Sequence, residues 1–453
     1  MQLAAAGRSV VVFEAAQTPG GGTRSAELTR PGFVHDICSS VHPLLLASPF
    51  FREIGLERLG IEVVQPEVPL AHPLADGGAA LLLQSLTDTA AGLGEDRDAY
   101  LRLMSPLAND VEALLPSILA PLRFPAHPFA MARFGLTAVR SAETLARARF
   151  RSPATRGLFA GIAAHSMLPL DRSPTAGVGA LLGLLAHAVG WPLVRGGSQK
   201  IADGLTALLT SFGGEVVTGR RVTSMGELPP ARAYLFDTTP RELVNIAGDR
   251  LPARYRKGLT RFRYGPGVFK VDWALSEPVP WAAEGCKKAG TVHLGWTLEE
   301  IAESEADVNS GRHNERPFVI VVQPTVTDPS RAPAGGHVLW AYCHVPSGSE
   351  RDMTRAIEDQ IERFAPGFRD TVVARATMHS TEMETYNANY VGGDINGGIQ
   401  DLRQHFARPL ARISPYTTPA KDIYICSSST PPGGGVHGMC GYHAARAALR
   451  RVF

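Results

Sequence analysis

The chain of 453 residues is 44% hydrophobic and balances 45 Lys plus Arg against 43 Asp plus Glu. That length suits two or three domains or one large discontinuous enzyme fold, and the balanced charge, with no run of one sign, excludes nucleic acid as a partner. Five cysteines, Cys38, Cys286, Cys343, Cys426 and Cys440, are scattered without a C-x-x-C pair, which argues against a metal site or redox disulfide and for reduced thiols in a cytoplasmic setting. The opening residues show no charged segment leading into an apolar one, so no signal peptide is read.

In chain order, Ala4 to Arg24 reads AAAGRSVVVFEAAQTPGGGTR. The pattern predicts the tail of a helix, a turn at Gly7, a buried strand over Val10–Phe13 and an acid, Glu14, at the strand's end. This order matches the second half of a mononucleotide-binding unit, in which that carboxylate accepts hydrogen bonds from ribose hydroxyls. An ordinary αβ turn with a chance glutamate reads the same way. Gly20 to Gly22 then supply backbone freedom for a close approach, and Arg24 offers a cation for a phosphate.

From Gly32 to Val64, the polar residues His35, Asp36, Ser39 and His42 stand in an apolar context, as ligand contacts or as hydrogen-bonded structural groups. Glu67 to Gln84 holds two apolar runs about Asp76-Gly77-Gly78, a hairpin expected at the edge of a sheet. Helical spacing dominates from Glu95 to His187, interrupted by Pro106, Pro116 and Pro121, and predicts a cap over a substrate. Within it, Thr175–Val194 is uncharged for about the 20 residues that span a bilayer. Its glycines and Pro192 favour burial against the cofactor-binding domain, with transmembrane insertion and a membrane-dipping or lipid-facing tunnel wall as the alternatives.

Val194–Met225, VRGGSQKIADGLTALLTSFGGEVVTGRRVTSM, predicts a tight entry at Gly196-Gly197, a helix capped by Ser198, an end at Gly213-Gly214 and a strand at Val216-Val217. A further strand runs to Phe236, followed by Asp237–Pro240. Beyond Leu251 the pattern turns to strands. Val268–Leu275 alternates with period two, Phe318–Gln323 and Val338–His344 follow, and Met353–Phe364 is a charged amphipathic helix. Lys270 is the one charged strand residue considered for a site, against a solvent-facing reading. Last, a strand over Ile423–Cys426 leads through a polar loop to Gly433-Gly434-Gly435 and a helix from Gly438 to Leu449.

Three glycine-bearing segments in this order resemble the phytoene desaturase-like branch of the FAD-dependent oxidoreductases, which includes the pyridine nucleotide-disulfide oxidoreductase domain-containing protein 2 group. Members of that family begin with an apolar strand and a G-x-G-x-x-G turn that holds a pyrophosphate. This chain starts within the helix that follows, so the expectation is a truncated reading of a longer polypeptide, with the parallel sheet left with two unpaired edges. A second departure is Ser427, where relatives carry glycine.

The resemblance implies an α/β fold: a discontinuous FAD/NAD(P)-binding Rossmann-like domain of the glutathione reductase type, and an α+β substrate domain built on an antiparallel sheet with a helical cap. The expected boundaries are 1–66, 191–247 and 411–453 for the FAD-binding parts, 67–190 for the hairpin and cap, and 248–410 for the antiparallel-sheet domain. FAD would be held by Glu14, Gly21, Gly22, Arg24, Val222, Ser428, Gly434, Gly435, Val436 and His437, with Val222 near the adenine. His437 and Lys270 are the catalytic candidates, the former as a proton acceptor and the latter as a charge partner of the reduced flavin. The implied activity is removal of hydride from a C–H bond of an apolar, polyene or lipid-like substrate to flavin N5, with peripheral membrane contact as a further expectation. A flavin amine oxidase-like reaction, a redox-neutral polyene isomerisation and a cofactor-free interaction or membrane-surface protein are the alternatives. The reading requires the turns at 20, 196 and 433 to converge.

Overall fold

The computed structural model describes residues 1–453. The strands that position the site are β1 (Val11–Phe13), β2 (Val68–Pro73), β3 (Ala79–Leu82), β4 (Glu215–Val217), β5 (Tyr234–Phe236), β6 (Gly267–Leu275), β7 (Ala289–Leu294), β8 (Val319–Val322), β9 (His337–Val345), β10 (Val372–Met378) and β11 (Ile423–Ile425). Four short strands outside the large sheet form two separate parallel pairs, β1 with β4 and β11 with β5. The expectation of a divided parallel sheet therefore holds. Val11 and Val12, apolar side chains on a strand, are 41% and 39% exposed.

The large sheet has seven strands in the order β10-β6-β9-β8-β7-β2-β3. It is mixed, not purely antiparallel as expected, because β7 and β2 pair in parallel where the hairpin β2–β3 joins the rest. The hairpin itself forms the predicted edge. Alternation sorts the side chains. Phe269, Val271 and Trp273 of β6 and Leu339, Ala341 and Cys343 of β9 face one side, where Ile357 and Ile361 of the Thr354–Phe364 helix cover them. Register pairs Lys270 with Tyr342 and Asp272 with Trp340 on the opposite face. His344, His293 and His72 follow on that same face, so it is polar and aromatic yet buried.

Part of this second face lies under the helical cap, whose core joins Leu70 and Ile320 of the sheet to Met104, Phe159 and Leu184. The uncharged Thr175–Val189 helix packs inside this cap against the Pro153–Ala163 and Pro128–Ala138 helices. Its apolar run is thus accounted for mainly by the cap and not by the cofactor-binding domain. No helix is long and apolar enough to cross a membrane.

Two histidines of the sheet sit against the backbone of the Pro153–Ala163 helix, which carries glycine one turn apart where they meet it. A β-carbon at Gly157 would lie 2.6 Å from His72 Nε2 and from the Trp296 carbonyl, and one at Gly161 would lie 2.9 Å from His293 Nδ1. Gly135, in the Pro128–Ala138 helix, has nothing within 4 Å of that position. The two sites separate packing from helix propensity. Gly157→Ala should destabilise by about 1–3 kcal/mol through overpacking, while Gly135→Ala should stabilise by roughly 0.5–1 kcal/mol, as checked by denaturant unfolding.

Candidate functional site

The carboxyl ends of β1, β5 and β11 deliver Glu14, Asp237 and Cys426. Crevices at such ends are where open α/β sheets take ligands. Glu14 Oε1 accepts from the Ala16 amide at 2.8 Å and from Arg24 Nη2 at 3.0 Å. Asp237 is open to solvent on one side, and desolvation at the strand ends, together with the nearby charge of Glu14, raises its carboxyl to about 6. Two acids that disfavour each other's charge form an acceptor-rich edge.

The first glycine turn closes on itself beside that edge. Arg24 Nε donates to the Thr18 carbonyl at 2.8 Å and Nη1 to Tyr386 Oη at 3.1 Å, while Tyr386 Oη donates to the Gly21 carbonyl at 2.9 Å. The guanidinium is therefore engaged within the turn. A β-carbon at Gly22 would fall 2.1 Å from Tyr390 Oη, so only glycine admits that tyrosine. Val222 lies half-buried in the loop after β4.

The second turn meets the first directly. A β-carbon at Gly20 would lie 3.1 Å from Ala202 on the Gln199–Ser211 helix, and one at Gly197 would lie 2.5 Å from Ser25 Oγ. The expected cap is not made by Ser198, whose hydroxyl is instead 2.8 Å from His42 Nε2. Asp36 Oδ1 accepts the Ser198 amide at 2.9 Å and Ser25 Oγ accepts the Gln199 amide at 3.1 Å. The helix start is capped by residues far away in sequence. Asp36 also accepts from Ser25 and Ser40 and faces Arg331 Nη2 at 2.9 Å, with both ion-pair partners fully buried. The Arg331 charge and these donors overcome desolvation and hold the Asp36 carboxyl at about 2. His35 and His42 are both buried and hydrogen-bonded, His35 sharing a 2.8 Å contact with Thr29 Oγ1.

The third turn, after β11, carries a spacing that the sequence reading passed over. Gly433, Gly435 and Gly438 stand as G-x-G-x-x-G before the Met439–Val452 helix, all at positive φ (113°, 120° and 67°). The amides of Gly433, Gly434, Gly435 and Val436 donate to no atom of the chain. A run of free N–H groups at a helix start favours an anion or a polar ring edge. His437 holds this turn. Its Nδ1 accepts the Met439 amide at 3.0 Å and its Nε2 lies 3.2 Å from the Gly433 carbonyl. Both ring nitrogens are occupied, so acting as a proton acceptor would require His437 to give up the helix cap.

Ser427 Oγ donates to the Thr238 carbonyl at 2.7 Å, tying the end of β11 to that of β5, and the Ser428 carbonyl accepts from Arg408 Nε at 2.9 Å. Arg408 is buried and also donates to the carbonyls of Asn396–Ile399, fixing the glycine-rich loop beside Gly434. The Tyr386–Gln400 segment thus touches Gly21 and Gly22 at one end and Gly433 and Gly434 at the other. It links the first turn to the third, and the second turn joins them through the first.

Lys270 is buried, not solvent-facing, at 2% exposure. Its Nζ pairs with Asp272 and lies 5.4 Å from the centre of the Trp340 ring, which stacks on Tyr342 at 5.6 Å. Asp272 Oδ1 in turn faces His35 Nδ1 at 3.3 Å. Surface hollows of about 320 and 290 Å³ occur over the hairpin and beside Glu300–Arg316, but neither borders the glycine turns.

No protein-family model matches the chain. It is 26% identical over 345 residues to pyridine nucleotide-disulfide oxidoreductase domain-containing protein 2 of Rattus norvegicus, covering 65% of this chain and 58% of that protein. It is 23% identical over 321 residues to the phytoene desaturase (lycopene-forming) of Pseudescherichia vulneris, covering 63% and 61%. The chain spans about three-fifths of the length of these curated relatives. Among solved structures, an oxidoreductase from Methanosarcina mazei superposes with a TM-score of 0.64 at 16% identity over 99% of this chain and 96% of its own. Putrescine oxidase bound to putrescine gives 0.61 at 16% over 99% and 95%. Cyclohexylamine oxidase from Brevibacterium oxydans gives 0.60 at 15% over 100% and 95%. The fold is that of these oxidoreductases. The resemblance to the phytoene desaturase-like branch is borne out by the curated relatives.

Two outcomes follow from the buried charges. Arg331→Met strands the Asp36 carboxylate and should cost about 3–5 kcal/mol in urea unfolding. Burial lowers His42 and His437 from 6.5 to about 4, so the unfolded chain binds their protons first. Stability should be intact above pH 6.5 and fall as the pH drops towards 4, by on the order of 1–3 kcal/mol for each imidazole, whereas the stabilisation from Asp36 is fully present above about pH 4 and is lost only as the pH falls from there towards about 2. In a pH series of unfolding midpoints, His42→Gln should flatten the slope between pH 6.5 and 4.

Proposed function

We propose that the chain is an FAD-dependent oxidoreductase of the phytoene dehydrogenase-like type, acting by dehydrogenation on an apolar polyene or lipid-like substrate. The observation that carries this reading is the pairing of acceptor groups at Glu14, beside the first glycine turn, with unpartnered amides at Gly433–Val436 in the third, both turns lying against the Tyr386–Gln400 segment. These groups fit an adenine-linked flavin. Glu14 would accept from its ribose hydroxyls and the turn amides would face its electron-rich edge, next to the start of the Met439–Val452 helix. FAD, when bound, supplies a two-electron hydride acceptor.

The chain's own residues would then shape the reaction. Lys270, fixed by Asp272, is a buried cation able to favour negative charge nearby. The apolar cap above the other half of the same sheet face excludes water and selects by shape. Little acid–base machinery is required of it.

The stacked Trp340–Tyr342 pair supports a second reading as an amine oxidase-like enzyme, the activity named for two of the structural neighbours. Against it, Lys270 already occupies the face of Trp340 that an ammonium would seek.

Purified full-length chain should show bands near about 370 and 450 nm. Glu14→Ala should weaken FAD retention by about tenfold in equilibrium dialysis, the worth of a charge-assisted hydrogen bond. Anaerobic polyene should bleach the longer-wavelength band and alkylamines should not. A colourless chain that fails to take up added FAD refutes the reading, and bleaching by amine alone transfers it to the second one.

A further inference from the structure

We infer that the outer face of the Pro128–Ala138 helix, with the loop before it, docks on an anionic lipid bilayer. Ala130 and Phe134 turn this helix inward to the cap. The other side is apolar as well. Phe129 is 84% exposed, Leu136 75% and Val139 54%, and in the preceding loop Leu122 is 59% and Phe124 87% exposed. Phe129 and Leu136 are two turns apart and so share one stripe. Five of the chain's twelve exposed large hydrophobic side chains therefore fall within the span 122–139. Exposed apolar clusters of this kind mark protein or membrane contacts.

Charge selects between those partners. Between Glu112 and Glu143 there is no acidic residue, while Arg123, Arg133 and Arg140 punctuate the apolar stretch. Only Arg133 is paired, with Asp110 at 3.1 Å. A second copy seated on this face would bring arginine to arginine, and Asp110, the acid beside the helix, is already taken by Arg133. A bilayer with anionic headgroups offers both the apolar phase and the counter-charge. The helix has 11 residues, about 16 Å, too short to span, so it would lie in the interface plane with its phenyl rings and leucines inserted.

Beneath it the Thr175–Val189 helix continues the apolar path. The β-carbon position of Gly177 is 3.0 Å from Ala138, and the cap core reaches Ile320 on the polar face of the large sheet. The docking inference rests on the surface alone and stands whether or not the chain binds flavin.

The test is co-sedimentation of the full chain with vesicles of phosphatidylcholine alone and with about 30 mol% phosphatidylglycerol. Binding is expected to the anionic vesicles and to weaken with salt. Phe124→Ser with Phe129→Ser should reduce the bound fraction by about tenfold or more, and Arg123→Glu with Arg140→Glu should abolish the preference for anionic lipid. Arg123, Phe124 and Phe129 are exposed and Arg140 is half-buried without an ion-pair partner, so the thermal midpoint should stay unchanged and show that the variants fold. The proposal is overturned by absence of binding to anionic vesicles at low salt, by binding that survives the double serine variant, or by a dimer in sedimentation velocity that the serine variant dissolves while vesicle binding is absent.

Discussion

The arrangement depends first on one buried ion pair. Asp36 and Arg331 are both fully inaccessible, and bringing two charges out of water is costly unless every remaining lone pair finds a donor. Ser25, Ser40 and the Ser198 amide supply those donors from three places in the chain. The worth of such a pair lies in registry more than in net energy. Here it fixes the strand after the first glycine turn, the start of the Gln199–Ser211 helix and the loop after β8 relative to one another. Asp328 reinforces this by accepting the Gly196 amide at 2.7 Å. Neither glycine turn could keep its position if the other moved.

The second constraint is the period of two in the large sheet. Because β6 and β9 are covered on both sides, their alternation does not separate core from solvent. It separates an apolar face under the Thr354–Phe364 helix from a face carrying Lys270, Asp272, Tyr342 and the histidines. Burying polar groups on that second face is tolerated because partners were built in. His344 Nδ1 meets Glu305 at 2.7 Å, His72 Nε2 meets the Trp296 carbonyl at 2.7 Å and Lys270 meets Asp272. The sheet is thus scaffold on one side and chemistry on the other.

What could be read before the structure was what local rules control. Asp76-Gly77-Gly78 between apolar runs yields the edge hairpin, and GVFKVDWAL yields a central strand, since turn chemistry and alternation act over a few residues. The face on which Lys270 falls was not legible, because a strand buried on both sides gives no polar side to orient by. The Ser198 cap was misassigned for a related reason. A serine before a helix is a fair local signal, yet the amides are taken by Asp36 and Ser25, more than 160 positions away, and the hydroxyl by His42. The spacing of Gly433, Gly435 and Gly438 was present in the sequence but hidden within a longer glycine run. Only their positive φ values and unpartnered amides single them out. The uncharged Thr175–Val189 segment carries the same composition whether it meets lipid or Leu103, Met104 and Phe159, and tertiary packing alone decides.

The two ends of the candidate site also restrict what can fill it. At one end desolvation, with the charge of Glu14 added to it, holds Asp237 at about 6, so any group that donates hydrogen bonds there relieves repulsion as well as gaining a partner. At the other end the Gly433–Val436 amides and the start of a helix present donors and positive potential. A ligand with donors throughout would leave the amides unmatched, and one with acceptors throughout would worsen the repulsion at the acids. The molecule that satisfies both has hydroxyls at one end and an electron-rich polar edge at the other, with a body long enough to lie along the Tyr386–Gln400 segment that borders the first and third turns. A compact amine or a bare phosphate meets only one of these demands, which is why the cofactor assignment rests on the pair of ends and not on either glycine turn alone.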